Sequence, residues 1–138
     1  MLRSTVVVFV LVGAVSAWGG AAQAKEANPT KKCSSALAAL PGSNGLPADF
    51  PSPSGVVYTS TKMAGPSQIA TGYMKTSLGK AYVAWTKALE PPPYKVTHKE
   101  KDPDDAEVNF ASSTTSGQVA LKEPCTGRLS VRVTARPA

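Results

Sequence analysis

Three arginines recur at every fourth position near the end of the chain. Arg128, Arg132 and Arg136 belong to the segment RLSVRVTARPA, in which apolar and polar residues alternate. In a β-strand this alternation puts the three arginines on one face, about 13 Å apart. That spacing is too wide for two arginines to bind one carboxylate, but it suits a repeating polyanion or an acidic protein surface. The alternative is that the row is only a solvated face, or that its charges protect an edge strand from aggregation.

The other reactive side chains do not form a catalytic or metal-binding pattern. His98 is the only histidine, and Lys95 and Lys99 lie close to it in the sequence. The sequence has no G-x-S-x-G segment to present a nucleophilic serine. The acidic segment KDPDDAE, which starts at Lys101, lacks the spacing of a calcium-binding loop. We therefore expect a protein that is not an enzyme, with no catalytic residue, no metal site and no cofactor.

The chain contains two cysteines, Cys33 and Cys125. Two cysteines in an exported chain usually pair. The bond would close a loop of about 93 residues, which a chain-entropy model values at roughly 4–5 kcal/mol. The alternative is two free thiols, one of them a nucleophile. We predict the disulfide, which would tie the start of the domain to the beginning of the last strand.

Residues 1–24 have the pattern of a cleaved secretory signal peptide. Arg3 precedes an uncharged segment from Thr5 to Trp18, and an A-x-A sequence ends at Ala24. The apolar segment is shorter than the about 20 residues of a membrane-spanning helix. We therefore expect a protein that is secreted or associated with the cell envelope, without a transmembrane segment after cleavage.

The charge balance is compatible with anionic partners. The chain has 138 residues, with 15 Lys and Arg against 9 Asp and Glu, and a formal net charge of +6. A basic exported protein can meet anionic envelope polymers or acidic proteins, whereas export separates it from nucleic acids, so we expect no nucleic-acid partner. The alternative is that this modest charge only keeps the protein soluble.

Residues 25–54 are expected to form a flexible to proline-rich lead-in to the domain. The segment CSSALAALPG is predicted to form a short helix that ends at Pro41. The prolines at positions 47, 51 and 53 then favour an extended chain. Leu46 and Phe50 are the predicted anchors of this segment on the domain.

Residues 55–138 are predicted to form an α+β domain. β-branched and aromatic residues near positions 56–63 and 68–76 predict two strands. A helix follows, since Leu78, Tyr82, Trp85 and Leu89 recur at helical spacing. Ser77 is its predicted N-cap, and Thr86 is predicted to lie off its apolar stripe.

Alternating segments after the helix predict the remaining strands. One of them places Tyr94, Val96 and His98 on the same face. Short turns between the strands favour antiparallel pairing. We predict the order β-β-α-β-β-β, in which a five- to six-stranded, mainly antiparallel sheet is covered on one face by a single main helix.

The segment LPADFPSPSGVVYTS, residues 46–60, carries a family resemblance. It resembles the LP-x-D-F-P-x-P-x-G opening of small exported actinobacterial proteins of unknown function, which share a helix like that of Tyr82 to Leu89 and a following Y-x-V strand. The resemblance implies a bacterial, exported protein with an α+β fold, and it implies no activity. Many of these proteins carry a lipid anchor, which we do not expect here because Lys31 and Lys32 precede Cys33.

Two functions are compatible with these features. The first is a small, secreted, non-catalytic protein that binds an anionic envelope polymer or an acidic protein through the arginine row. The alternative is an exported protease inhibitor, because a helix covered by an antiparallel sheet is similar to the cystatin-like architecture. The Q-x-V-x-G loop of that family is absent, since Gln118 is followed directly by Val119.

Overall fold

Six strands and one helix make up the described part of the chain. The structure is a computed structural model that describes residues 32, 33 and 35–138. The strands are β1 (Val57–Ala64), β2 (Ser67–Met74), β3 (Lys95–Lys101), β4 (Asp105–Ala111), β5 (Thr115–Cys125) and β6 (Arg128–Pro137). The helix α1 (Leu78–Leu89) lies between β2 and β3 in the chain. The predicted α+β class, with one helix and an antiparallel sheet, is confirmed.

The six strands form one sheet in the order β1-β2-β6-β5-β4-β3, with every neighbouring pair antiparallel. The chain passes through α1 from β2 to the far edge of the sheet. Three hairpins then lead back until β6 pairs with β2. The arginine-bearing strand is therefore central, so its charges do not protect an edge.

The core lies between the inner face of the sheet and α1. Leu129, Val131 and Val133 of β6 are fully buried on this face, as the alternation predicts. Trp85 and Leu89 are fully buried on the helix, which lies mainly over β4 and β5.

The lead-in segment completes this core. Leu46 and Phe50 are buried, as predicted. The Phe50 ring centroid lies 6.3 Å from that of Trp85, 5.6 Å from that of Tyr94 and 5.2 Å from that of Phe110. Phe50 therefore joins the lead-in to both the helix and the sheet.

Two details of the helix differ from the prediction. Thr86 is buried, not off the apolar stripe, and its hydroxyl donates a hydrogen bond to the Tyr82 carbonyl at 2.9 Å. That bond satisfies the hydroxyl inside the helix, so burial costs little. Ser77 precedes the helix as predicted, but its side chain makes no capping hydrogen bond.

The prediction that Tyr94, Val96 and His98 share one face is wrong. The pairing of β3 with β4 shifts between Val96 and His98, where Val96 lies opposite Phe110 and His98 lies opposite Asn109. Such a bulge adds one residue to a strand and reverses the alternation after it. His98 therefore lies on the exposed outer face.

The prediction of a short helix from Cys33 to Gly42 is also wrong, because residues 35–42 contain no helical turn. We call residues 32, 33 and 35–40 the N-terminal strap. Lys32 forms a parallel bridge with Thr126, and the Leu40 amide donates to the Tyr58 carbonyl at 2.7 Å. These contacts hold the strap extended across the end of the sheet.

The predicted disulfide between Cys33 and Cys125 is present, with the two Cα atoms 5.3 Å apart. It fixes the start of the strap to the end of β5. The predicted signal peptide, residues 1–24, lies outside the described residues. None of the described residues belongs to a helix that is both long and apolar enough to span a membrane.

Candidate functional site

The outer face of the sheet is the side that α1 leaves uncovered. On β6 it carries Arg128, Arg132 and Arg136, alternating with the buried residues of the inner face. Arg132 lies between Thr71 of β2 and Ala120 of β5, and Arg136 lies opposite Ser116 of β5. The structure thus places the three predicted arginines on one face of a central strand.

Arg128 differs from the other two because it is bound to the rest of the protein. Its guanidinium carbon lies 5.5 Å from the ring centroid of Tyr73, and its Nη2 donates a hydrogen bond to the Ser35 carbonyl of the strap. A guanidinium over an aromatic face gains about 0.5–1 kcal/mol at an exposed site. Arg128 therefore anchors the strap, and it is half-buried, with its donors directed at the protein.

Arg132 and Arg136 are exposed and form no ion pair with the described residues. The nearest strand with carboxylates on the outer face is β4, two strands away. Its Glu107 accepts a hydrogen bond from Gln118 Nε2 at 2.9 Å. No carboxylate of the described residues is paired with either guanidinium, so both can bind an anionic ligand.

Two of the depressions that these arginines line lie on the outer face of the sheet. The larger, which we call the polar groove, has a volume of about 450 Å³ and crosses the face near Arg136. Its polar lining comes from Ser67, Thr97, Asn109, Ser116, Gln118, Thr134 and Arg136. Ala111 of β4 and Ser116 of β5, which lie opposite each other on this face, have small side chains that leave room for the groove. Its hydroxyl and amide groups can both donate and accept hydrogen bonds.

The second depression, of about 210 Å³, lies over Ala120 beside Arg132. Lys122 and Arg132 line one side, and Asp105 and Glu107 line the other. The outer face is thus basic along β6 and at Lys122 of β5, and acidic along β4. This division favours the approach of an anionic ligand along β6.

The remaining predicted features lie away from these depressions or are structural. His98 is on the edge strand, 3.9 Å from Glu100, with 62% of its side chain exposed. The acidic segment forms the turn between β3 and β4, as its Asp102 amide donates to the Asp105 carbonyl at 2.9 Å. Within the described ranges, no three Asp, Glu, His or Cys side chains are arranged to hold a metal ion.

Gln118, considered above for an inhibitory loop, lies in the middle of β5 and binds Glu107. It is part of the sheet and does not lie in a projecting loop. The contact between Arg128 and Ser35 was missed by sequence reasoning, since the two residues are 93 positions apart. No local signal in the sequence links them.

Comparison of the chain with protein-family models, with curated proteins and with solved structures finds no match.

Proposed function

We propose that the protein is a small, secreted, non-catalytic binding protein that holds an anionic envelope polymer against the outer face of its sheet. The observation that supports this most is the state of Arg132 and Arg136. Both are exposed on a central strand, with no carboxylate partner among the described residues. An arginine that only improves solubility could lie anywhere on the surface, whereas these two lie together on the exposed face of an inner strand.

The geometry favours a polymer over a compact ion. Along an extended strand, residues four positions apart are separated by about 13 Å. Arg132 and Arg136 would therefore contact different repeat units of one chain. Each guanidinium can bind a phosphate or carboxylate through two hydrogen bonds.

The lining of the polar groove favours a hydroxyl-rich polymer over an acidic protein surface. Thr134 and Ser116 offer hydroxyl groups, and Asn109 and Gln118 offer amides, within one shallow depression next to Arg136. Such groups match the hydroxyls of a sugar or polyol backbone. The proposed ligand class is thus an anionic glycopolymer, of the teichoic-acid or acidic-polysaccharide kind.

The test is retention of the purified protein on immobilised heparin and on immobilised teichoic acid over a salt gradient. The double variant Arg132→Ser/Arg136→Ser should elute at clearly lower salt, because it loses two contacts with anionic groups of the polymer. Each lost contact lowers the slope of log affinity against log salt concentration by about one. The matched control is Lys87→Ser/Lys99→Ser. It removes the same charge from exposed positions on the helix side of the sheet.

The control should lose much less retention than the arginine variant. Equal losses would show that only the net charge matters, and unchanged retention of the arginine variant would contradict the proposed site. Arg128 is kept intact in this experiment, because its replacement would also remove a contact of the strap.

A further inference from the structure

Another cavity lies between α1 and the ends of β1 and β2, at the opposite end of β2 from the polar groove. We call it the helix cleft, and its volume is about 450 Å³. Val57, at the start of β1, and Met74, at the end of β2, contribute to its sheet side. Lys80 and Ala84, one turn apart on α1, line its helix side. A volume of this size is within the usual range of small-molecule sites, about 300–1,000 Å³.

The cleft is open because small residues border it. Ala84 presents one methyl group where its helix neighbours Leu78 and Trp85 fill the core. Gly55, in the turn before β1, has a φ of +86° and no neighbouring atom within 4 Å of the position that a Cβ would occupy. A larger side chain at position 84 would therefore fill the cleft without displacing the core.

One residue of the cleft lining, Tyr73, also contacts the N-terminal strap. The Tyr73 hydroxyl donates to the Leu37 carbonyl at 3.5 Å, and Arg128 lies over the ring of Tyr73. The interior is mostly apolar, with Tyr73, Val57, Met74 and Ala84 contributing carbon surface. A methionine adapts its shape to different apolar ligands.

The mouth of the cleft is basic. Lys75 and Lys80 are both exposed at its border, and no carboxylate lines the cleft. Neither lysine forms an ion pair with the described residues. The first turn of α1 has no acidic residue, so its partial positive charge adds to that of the lysines.

The geometry points to a second binding site, the helix cleft, for an amphiphile with an apolar chain and one anionic head group. The apolar chain would occupy the space between Met74 and Ala84. The head group, a carboxylate or a phosphate, would lie between Lys75 and Lys80. This site includes neither Arg132 nor Arg136 and would take a different ligand from the proposed polymer.

The test is isothermal titration of the protein with decanoate, decyl phosphate and decanol, which share one chain and differ in the head group. We expect saturable binding of one molecule of at least one of the two anionic probes. Decanol should bind at least tenfold more weakly. Binding of decanoate or of decyl phosphate supports the proposal and identifies the head group.

The variant Lys75→Gln/Lys80→Gln should bind the anionic probe at least tenfold more weakly and leave decanol binding unchanged. Lys87→Gln on the same helix is the control, because Lys87 does not line the cleft. Ala84→Phe should lose binding of all three probes, with circular dichroism confirming that it folds. The Arg132→Ser/Arg136→Ser variant should bind the probes normally, which separates this site from the polymer site.

Three results would overturn the proposal. The first is no binding of either anionic probe by the folded protein. The second is equal binding of decanol and the anionic probes. The third is an equal effect of Lys75→Gln/Lys80→Gln and of Lys87→Gln. The two lysines are exposed, so their replacement tests the proposal even if Ala84→Phe does not fold.

Discussion

Removing the disulfide by Cys33→Ser/Cys125→Ser is the change whose effect can be worked out most fully. The bond joins residues 92 positions apart and fixes the N-terminal strap to the end of β5. Without it, the strap is held by a bridge from Lys32 to Thr126 and by contacts of Arg128 and Tyr73. The variant should therefore fold, with a strap that detaches easily.

The size of the loss follows from the loop that the bond closes. For a loop of this length, the chain-entropy model says that the bond lowers the entropy of the unfolded chain by about 15–16 cal/mol/K. This corresponds to roughly 4.6 kcal/mol of stabilisation at 25 °C. Release of the strap in the folded variant returns part of that entropy. We therefore expect the free energy of unfolding to fall by about 2–4 kcal/mol. At about 4 °C per kcal/mol for a domain near 100 residues, the melting temperature should fall by about 8–16 °C.

Urea and thermal unfolding, followed by circular dichroism, measure this loss directly. The control is Arg128→Ala, which removes the contact with Ser35 and the packing on Tyr73 but keeps the bond. Its free energy of unfolding should fall by only about 1–2 kcal/mol. The free energy of unfolding of the serine variant could instead fall by less than about 1 kcal/mol, or by less than that of Arg128→Ala. Either result would show that the bond does not stabilise the fold by constraining the unfolded chain.

Three further predictions concern the sheet, the helix and the pH dependence. Gly117→Ala should lower the free energy of unfolding by about 1–3 kcal/mol in urea denaturation, since its Cβ would lie 2.0 Å from the Thr134 carbonyl oxygen. Gly79→Ala on α1 meets no atom closer than 3.9 Å and should raise the free energy of unfolding by about 0.5–1 kcal/mol. Burial raises the pKa of Tyr58 above 10, so the unfolded chain loses this proton first and stability falls as the pH rises beyond about 10. Tyr58→Phe should reduce the fall in urea midpoint between pH 9 and pH 11, and an unchanged fall would contradict this.

Local patterns in the sequence were sufficient for the six strands and for α1, but not for their arrangement or for the conformation of the strap. The alternation in β6 and the helical spacing of Trp85 and Leu89 predicted the buried faces, because burial and periodicity are coupled. The bulge after Val96 could not be predicted, since it depends on the pairing of β3 with β4. The strand order depends on where α1 carries the chain, which no local pattern specifies.

The same difference applies to the candidate site. Alternation was enough to place Arg132 and Arg136 on one face. The segment after Cys33 looked helical from its alanines and leucines, but the disulfide and the bond from Leu40 to Tyr58 hold it extended. That extended strap brings Ser35 to Arg128, although the two residues are 93 positions apart in the sequence. This contact distinguishes Arg128 from the exposed Arg132 and Arg136.

A nuclear magnetic resonance titration of the labelled protein with a heparin oligosaccharide would locate a bound polyanion most directly. We predict that the amide signals that move will belong to β5 and β6, around Gln118, Arg132, Thr134 and Arg136. The signals of the exposed helix face, around Lys87, should stay in place. Shifts centred on α1, or spread evenly over all lysines and arginines, would contradict a binding site on the outer face.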